Sequence, residues 1–166
     1  MSCDEILLDL DGVFADFYGR AAELLGQPYK GLPPAEAWAV LEQVPHLFRD
    51  LAPLAEGLLL WNALQSCSAR KRVLSALPKP TGYLVTADAD KRLWVAEHLS
   101  PALPVTTVEN GLAKARHAHP RRVLVDDIER NILAFRAAGG VGIQHVRTED
   151  TLEQLAALGL HMQRPV

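Results

Sequence analysis

Residues 5–16 read EILLDLDGVFAD, and the reading of this stretch decides the fold. Ile6, Leu7 and Leu8 form an apolar run with no polar alternation, the pattern of a strand buried on both faces of a parallel sheet. At its end stand Asp9 and Asp11, followed by Gly12, whose missing Cβ permits a sharp turn. Two carboxylates one residue apart at the C-terminal edge of such a strand occupy the place where open α/β sheets bind ligands. Taken alone, an Asp-x-Asp-Gly tetrad is equally an ordinary strand exit, so the downstream sequence must discriminate.

The chain has 166 residues, enough for one domain, or one core with a modest insertion, at roughly 100–200 residues per domain. Hydrophobic residues make up 49% and charged residues 22%, which supplies a core and gives no signature of disorder. A formal charge of −3 argues against a surface built to track a nucleic-acid backbone, while leaving room for a small anion. Cys3 and Cys67 have neither CxxC spacing nor nearby His partners, so they read as reduced thiols rather than zinc ligands. The N-terminus lacks a basic region followed by a long apolar one, and no segment reaches the ~18 apolar residues of a membrane helix. These features predict a soluble cytoplasmic protein with no membrane partner; monomer and homodimer both stay open.

Working outward, residues 15–25 place Phe17, Ala21, Leu24 and Leu25 at helical spacing, closed by Gly26 and Pro28. Pro33 and Pro34 open a second helix carrying Trp38 and Leu41, and Pro45 stops it. HLFRDLAPL is a connector anchored by Leu47 and Phe48, and a further helix runs over about 54–64. Residues 68–77 read as one more helix, closed by Pro78 and Pro80. Beyond Pro80 the rhythm becomes strand-helix alternation. Strands are expected at 82–86 (GYLVT), 105–108, 122–125 and 141–146. Helices are expected at 90–99, capped by Asp88 or Asp90, at 128–138, ended by Gly139-Gly140, and at 151–158, capped by Asp150 or Thr151. The expected fold is α/β: a doubly wound, five-stranded parallel sheet with right-handed crossovers and a small helical insertion after the first strand. That divides the chain into a core of 1–16 and 54–166 and an insertion of 17–53 lying over the edge that bears Asp9 and Asp11.

Each later strand would bring a useful group to the same edge: Thr86 beside a helix N-terminus, Lys114 in NGLAKAR, and Asp126-Asp127. Four carboxylates and one lysine in one crevice repel unless a cation sits among them. Oxygen-only ligands select a hard metal, and Mg²⁺ accepts a few carboxylates, waters and a phosphate, so a phosphate ester is the implied substrate.

The succession hhhDxDGV, hhhT, Lys and hhhDD resembles the haloacid-dehalogenase (HAD) superfamily of phosphohydrolases over residues 5–146, whose Rossmann-like core matches the expected sheet. The resemblance implies Asp9 as nucleophile and Asp11 as general acid/base. It also implies Thr86 as a phosphate-binding hydroxyl, Lys114 as the link between nucleophile and phosphate, and Gly12 in the phosphate loop. Mg²⁺ would be held by Asp9, the backbone carbonyl of Asp11 and Asp127, with Asp126 its neighbour in the acid pair. Within the superfamily, DLDGVFADF, HLFRDLAPL, the helix of Lys91, Trp94 and His98, and VLVDDIERN are similar to the 5′(3′)-deoxyribonucleotidases and their bacterial and phage relatives. Those enzymes carry a Thr-Ser pair where this chain has Thr86-Ala87. The resemblance thus implies a helical cap and a 5′-nucleotidase-like hydrolase acting on a (deoxy)nucleoside monophosphate through an aspartyl-phosphate.

Other residues carry weaker signals. Phe14, Phe17, Tyr18, Trp38, Phe48 and Trp61 could line a base pocket or fill the core; Phe17 and Phe48, near the site edge, are the preferred substrate contacts. Lys91 is either a phosphate contact or a helix-surface lysine, and Arg49 either touches substrate or pairs with Asp50 or Glu56. His117-x-His119 reads as a solvated loop. Three rivals remain: a phosphatase for another small ester, one acting on a polynucleotide end, and a non-catalytic receiver-like module. A receiver carries its acid pair on strand one and its phosphorylated Asp later, without a helical insertion, and a polynucleotide-end enzyme needs a basic path.

Overall fold

The apolar run becomes β1 (Glu5–Leu8), the central strand of a five-stranded sheet. In the computed structural model, which describes residues 3–162, the strand order is β3-β2-β1-β4-β5 and every pairing is parallel. The other strands are β2 (Arg70–Ala76), β3 (Val105–Val108), β4 (Arg122–Asp126) and β5 (Val141–Gln144). Ile6 and Leu8 face one hydrophobic core and Leu7 the other, as expected of a strand covered by helices on both sides.

Five parallel strands match the expectation in number, but the second lies elsewhere in the chain. Residues 70–76 are a strand, not a helix: Val73, Leu74 and Ser75 are buried between β1 and β3, with Leu8 paired to Val73. Val73, Leu74 and Leu77 also fit a helical face, and a short apolar run satisfies both periods. Residues 82–86, expected as a strand, form a 3-10 turn instead (Gly82–Thr86). Gly82 adopts φ 53°, Leu84 N–H bonds Thr81 O, and Tyr83 N–H donates to Glu42 O across to the insertion.

The helices are α1 (Phe17–Leu25), α2 (Pro34–Leu41), α3 (Ala55–Leu64), α4 (Ala87–His98), α5 (Glu129–Ala137) and α6 (Thr148–Ala157). Asp16 caps α1 by accepting the Gly19 N–H, and Gly26 closes it in the left-handed conformation. The expected caps of α4 and α6 are corrected. The α4 helix starts at Ala87, so Asp88 and Asp90 lie inside its first turn, where Asp88 holds Arg92 and Thr107. Likewise α6 starts at Thr148, which bonds Glu56, leaving Asp150 and Thr151 inside the helix.

The segments before α1 and after α2 meet at one point. Asp16 N–H donates to Ala52 O and Leu54 N–H to Phe14 O, so the two linkers run side by side as an antiparallel bridge between Ala15 and Pro53. The returning connector is pinned by Trp94 of α4, whose indole N–H donates to Leu51 O at 2.8 Å. Among the described residues no helix is long and apolar enough to cross a membrane.

Candidate active site

Asp9 extends β1 by one ladder bond, its N–H donating to Val125 O at 2.9 Å, and this sets it beside Asp126 at the end of β4. The carboxylate is almost wholly buried. Its Oδ1 accepts the Leu10 N–H at 2.8 Å and stands 2.7 Å from the Lys114 ammonium. No donor meets Oδ2 among the described residues. One oxygen is thus fixed and the other is left with its lone pairs unshared.

Lys114 comes from the 3-10 turn Leu112–His117 that follows β3, and it is 1% exposed. Its second bond runs to Asp126 Oδ2 at 2.6 Å, leaving one ammonium hydrogen without an acceptor among the described residues. Asp126 has no oxygen to spare: Oδ1 takes the Ile128 N–H at 2.8 Å, and Asn131 Nδ2 reaches both oxygens at 3.2 and 3.1 Å. Asp127 differs from its neighbour, because its Oδ1 is buried with no hydrogen-bond partner, and so is Asp11 Oδ1.

Asp9, Asp126 and Asp127 each offer an oxygen within 4.8 Å of the others. Burial pushes the Asp9 carboxyl up to about 8, with Asp126, Asp127 and Asp11 adding to the rise against the pull of Lys114. Burial and then Asp126 push Asp127 up to about 6. Burial disfavours the charge on Lys114, but Asp9 and Asp126 outweigh it and hold the ammonium above its ordinary value. Orphaned carboxylate oxygens and raised acids are the marks of a site short of positive charge, and an all-oxygen set fits a hard divalent cation such as Mg²⁺. Gly12 lets Asp127 come close: at φ 80° a Cβ there would stand 2.5 Å from Asp127 Oδ2. The Gly12 N–H donates to Ala15 O and is not free for a phosphate.

Above these acids opens a cavity of about 1030 Å³. Asp9, Asp11, Lys114 and Asn131 line it, and so do the aromatic side chains of Phe17, Tyr18, Tyr29, Trp38 and Phe48. Phe17 stacks on Trp38 at 5.8 Å and on Phe48 at 5.9 Å, and Tyr29 meets Phe17 edge-on. Burial, reinforced by Asp127, Asp9 and Asp11, pushes the Tyr18 phenol well above its ordinary value. Phe14 and Trp61 fill the core, Trp61 donating to Leu99 O.

The structure therefore brings Asp9, Asp11, Lys114, Asp126 and Asp127 together, and also Phe17 and Phe48. Thr86 is the correction. Its hydroxyl donates to Asp90 Oδ2 at 2.6 Å and lies 3.0 Å from Tyr83 O, on the 3-10 turn rather than at a strand end, and it does not line the cavity. The true end of β2 offers no exposed hydroxyl: Ser75 points into a buried contact with Lys91, and Ala76, Leu77 and Pro78 follow at the cavity wall. Lys91 is not on the helix surface; it is fully buried and bonds Asp11 Oδ2 at 2.6 Å. Arg49 pairs with Asp50 at the surface, and burial, then Arg122, lowers the half-buried His117. Sequence reasoning missed Asn131, although it lies five residues after Asp126 on the next helix, and Tyr29, the aromatic between α1 and α2.

No family model and no curated protein matches the chain. Several solved structures share its fold. L-2-haloacid dehalogenase from Xanthobacter autotrophicus, with chloropropionic acid covalently bound, superposes with a TM-score of 0.55 at 12% identity, covering 93% of this chain and 83% of that one. D,D-heptose 1,7-bisphosphate phosphatase from Burkholderia thailandensis gives 0.51 at 15% identity, covering 95% and 87%. A HAD family enzyme from Bacteroides thetaiotaomicron, in complex with magnesium and inorganic phosphate, gives 0.50 at 12% identity, covering 88% and 96%. The chain thus has the α/β Rossmann-like fold of HAD hydrolases.

Proposed function

We propose that this chain is a Mg²⁺-dependent phosphomonoester hydrolase that carries the phosphoryl group on Asp9, with a (deoxy)nucleoside monophosphate as substrate. The observation that carries the reading is the Lys114–Asp9 contact of 2.7 Å, which ties down one oxygen of Asp9 and leaves the other free. Magnesium held by Asp9, Asp127 and the backbone carbonyl of Asp11 would supply positive charge at the phosphate oxygens. Asp126, with both oxygens filled, holds Lys114 instead of the cation.

Asp9 Oδ2 bonds phosphorus as the bond to the ester oxygen breaks, and that oxygen takes its proton from Asp11. Asp11, now ionised, accepts a proton from water, whose oxygen bonds phosphorus as the Asp9–phosphorus bond breaks. The remaining hydrogen of Lys114 neutralises charge on a phosphate oxygen during both steps.

The substrate assignment rests on the insertion, 17–53, acting as a cap over the core. Its aromatic side chains Phe17, Tyr18, Tyr29, Trp38 and Phe48 line one side of the cavity and would give a nucleobase an apolar wall to pack on. A panel of deoxy- and ribonucleoside 5′- and 3′-monophosphates, sugar phosphates and a 5′-phosphorylated oligonucleotide tests it. The reading expects nucleoside monophosphates to have the highest kcat/KM and to lose it selectively in Phe17→Ala. Equal rates across the panel, or preference for the oligonucleotide, would overturn the nucleotide assignment.

A further inference from the structure

Lys91 is 0% exposed, and a buried ammonium is costly unless each of its hydrogens finds an acceptor. All three do: Asp11 Oδ2 at 2.6 Å, Ala76 O at 2.8 Å and Ser75 Oγ at 2.9 Å. The ring of Phe48 lies 4.4 Å from the same nitrogen. An ammonium has three donors, so none is left for a phosphate oxygen. Lys114 is the opposite case, with two acceptors and one hydrogen over.

What Lys91 does control is the carboxylate of Asp11. Ala76 and Ser75 belong to β2, and α4 fixes the lysine stem, so the nitrogen is held by the sheet itself. Its third bond immobilises Asp11 Oδ2, while Oδ1 is buried without a hydrogen-bond partner, so this one contact sets how the carboxylate is turned. Phe48 joins this arrangement to the cavity wall through its stack on Phe17.

We propose that Lys91 is a positioning residue that holds Asp11 Oδ2 and so sets the orientation in which the Asp11 carboxyl exchanges a proton with the ester oxygen, and that it makes no contact with the phosphate. This rests on the phosphatase reading and on Asp11 as proton donor and acceptor.

The test compares wild type, Lys91→Met, Asp11→Asn and the double variant on two esters, with circular dichroism to establish folding. A nucleoside 5′-monophosphate expels an alkoxide that needs a proton; p-nitrophenyl phosphate expels a phenolate that needs none. Lys91→Met should lower the single-turnover rate on the nucleotide ~100-fold and leave its KM within about threefold of wild type. On p-nitrophenyl phosphate the first turnover should stay within about threefold, followed by a slow phase as unassisted water attacks the phosphorylated Asp9. Adding Lys91→Met to Asp11→Asn should cost nothing more, since the lysine acts through the acid. Lys91→Gln, which keeps two donors, should retain more activity on the nucleotide, and it carries the same test if the methionine variant does not fold. Equal losses in the first turnover of both esters, a further loss in the double variant, or a raised KM at unchanged kcat would overturn the inference alone. No turnover of either ester by the wild-type chain would overturn the phosphatase reading and the inference with it.

Discussion

Lys114 Nζ lies 2.7 Å from Asp9 Oδ1, and the same ammonium lies 2.6 Å from Asp126 Oδ2. One buried cation therefore joins the ends of the turn after β3, of β1 and of β4. Removing it leaves two buried acids facing each other. Lys114→Met should abolish detectable turnover and destabilise the metal-free protein by about 3–5 kcal/mol, read by urea unfolding. A stable, active Lys114→Met protein would mean that the lysine is not what holds Asp9.

The acids set a pH dependence whose sign can be worked out. Asp9 and Asp127 sit at about 8 and about 6 against an ordinary value of 3.8, so the fold favours their protonated forms. Their contribution to stability is complete below the ordinary value and is lost as pH rises through about 6 and then about 8. Asp9→Asn should consequently melt progressively higher than wild type as pH rises across that window without metal. Magnesium favours the ionised acids and should reverse the trend. At about 100 times its dissociation constant it adds ~2.7 kcal/mol, or roughly 5–10 °C in a chain of this size. The shift should shrink toward acid pH. A wild-type melt indifferent to magnesium in mildly alkaline buffer would count against a cation among these acids.

Gly12 is a steric requirement of the same site. Gly12→Ala forces a side chain into a left-handed φ and a Cβ to 2.5 Å from Asp127 Oδ2. It should cost about 1–2 kcal/mol of stability and lose most of the magnesium-induced melting shift. If the substituted protein keeps both the shift and full activity, Asp127 is not the acid that faces the cation.

Thr86 separates a structural hydroxyl from a catalytic one. Its bond of 2.6 Å to the buried Asp90 holds the start of α4 and also supports the contact between Asp90 and His46. Thr86→Val should lower stability by about 1–3 kcal/mol while kcat/KM for a phosphate ester stays within about threefold of wild type. A collapse of phosphate turnover in a folded Thr86→Val protein would return this residue to the site.

The sequence made the central acids legible because they follow a run that has one reading. Ile6 to Leu8 with Asp9 and Asp11 behind them fit a buried strand end and little else, and Lys114 and Asp126-Asp127 stand at the matching ends of β3 and β4. The second strand was not legible, since RKRVLSA satisfies a helical face as well as a strand, while GYLVT carries the β-branched residues of a strand and forms a turn. That exchange displaced the expected phosphate hydroxyl to Thr86 and hid Ser75, whose partner is a lysine 16 residues on. Lys91 looked equivocal because its burial depends on β2 lying beneath α4. Asn131 closes the stretch VLVDDIERN, but its role exists only through Asp126, which it holds by both oxygens.

The central claim is that Asp9 carries the phosphoryl group, and it is tested most directly by trapping that species. Protein mixed with Mg²⁺ and p-nitrophenyl phosphate is quenched within the first turnovers and treated with borohydride, which reduces an acyl phosphate to the alcohol. Peptide mass spectrometry should then find homoserine at position 9, only when substrate and metal are both present, and not in Asp9→Asn. Phosphate release by the wild-type protein with an unmodified Asp9, or with the modification on Asp11 or Asp127, would contradict the account.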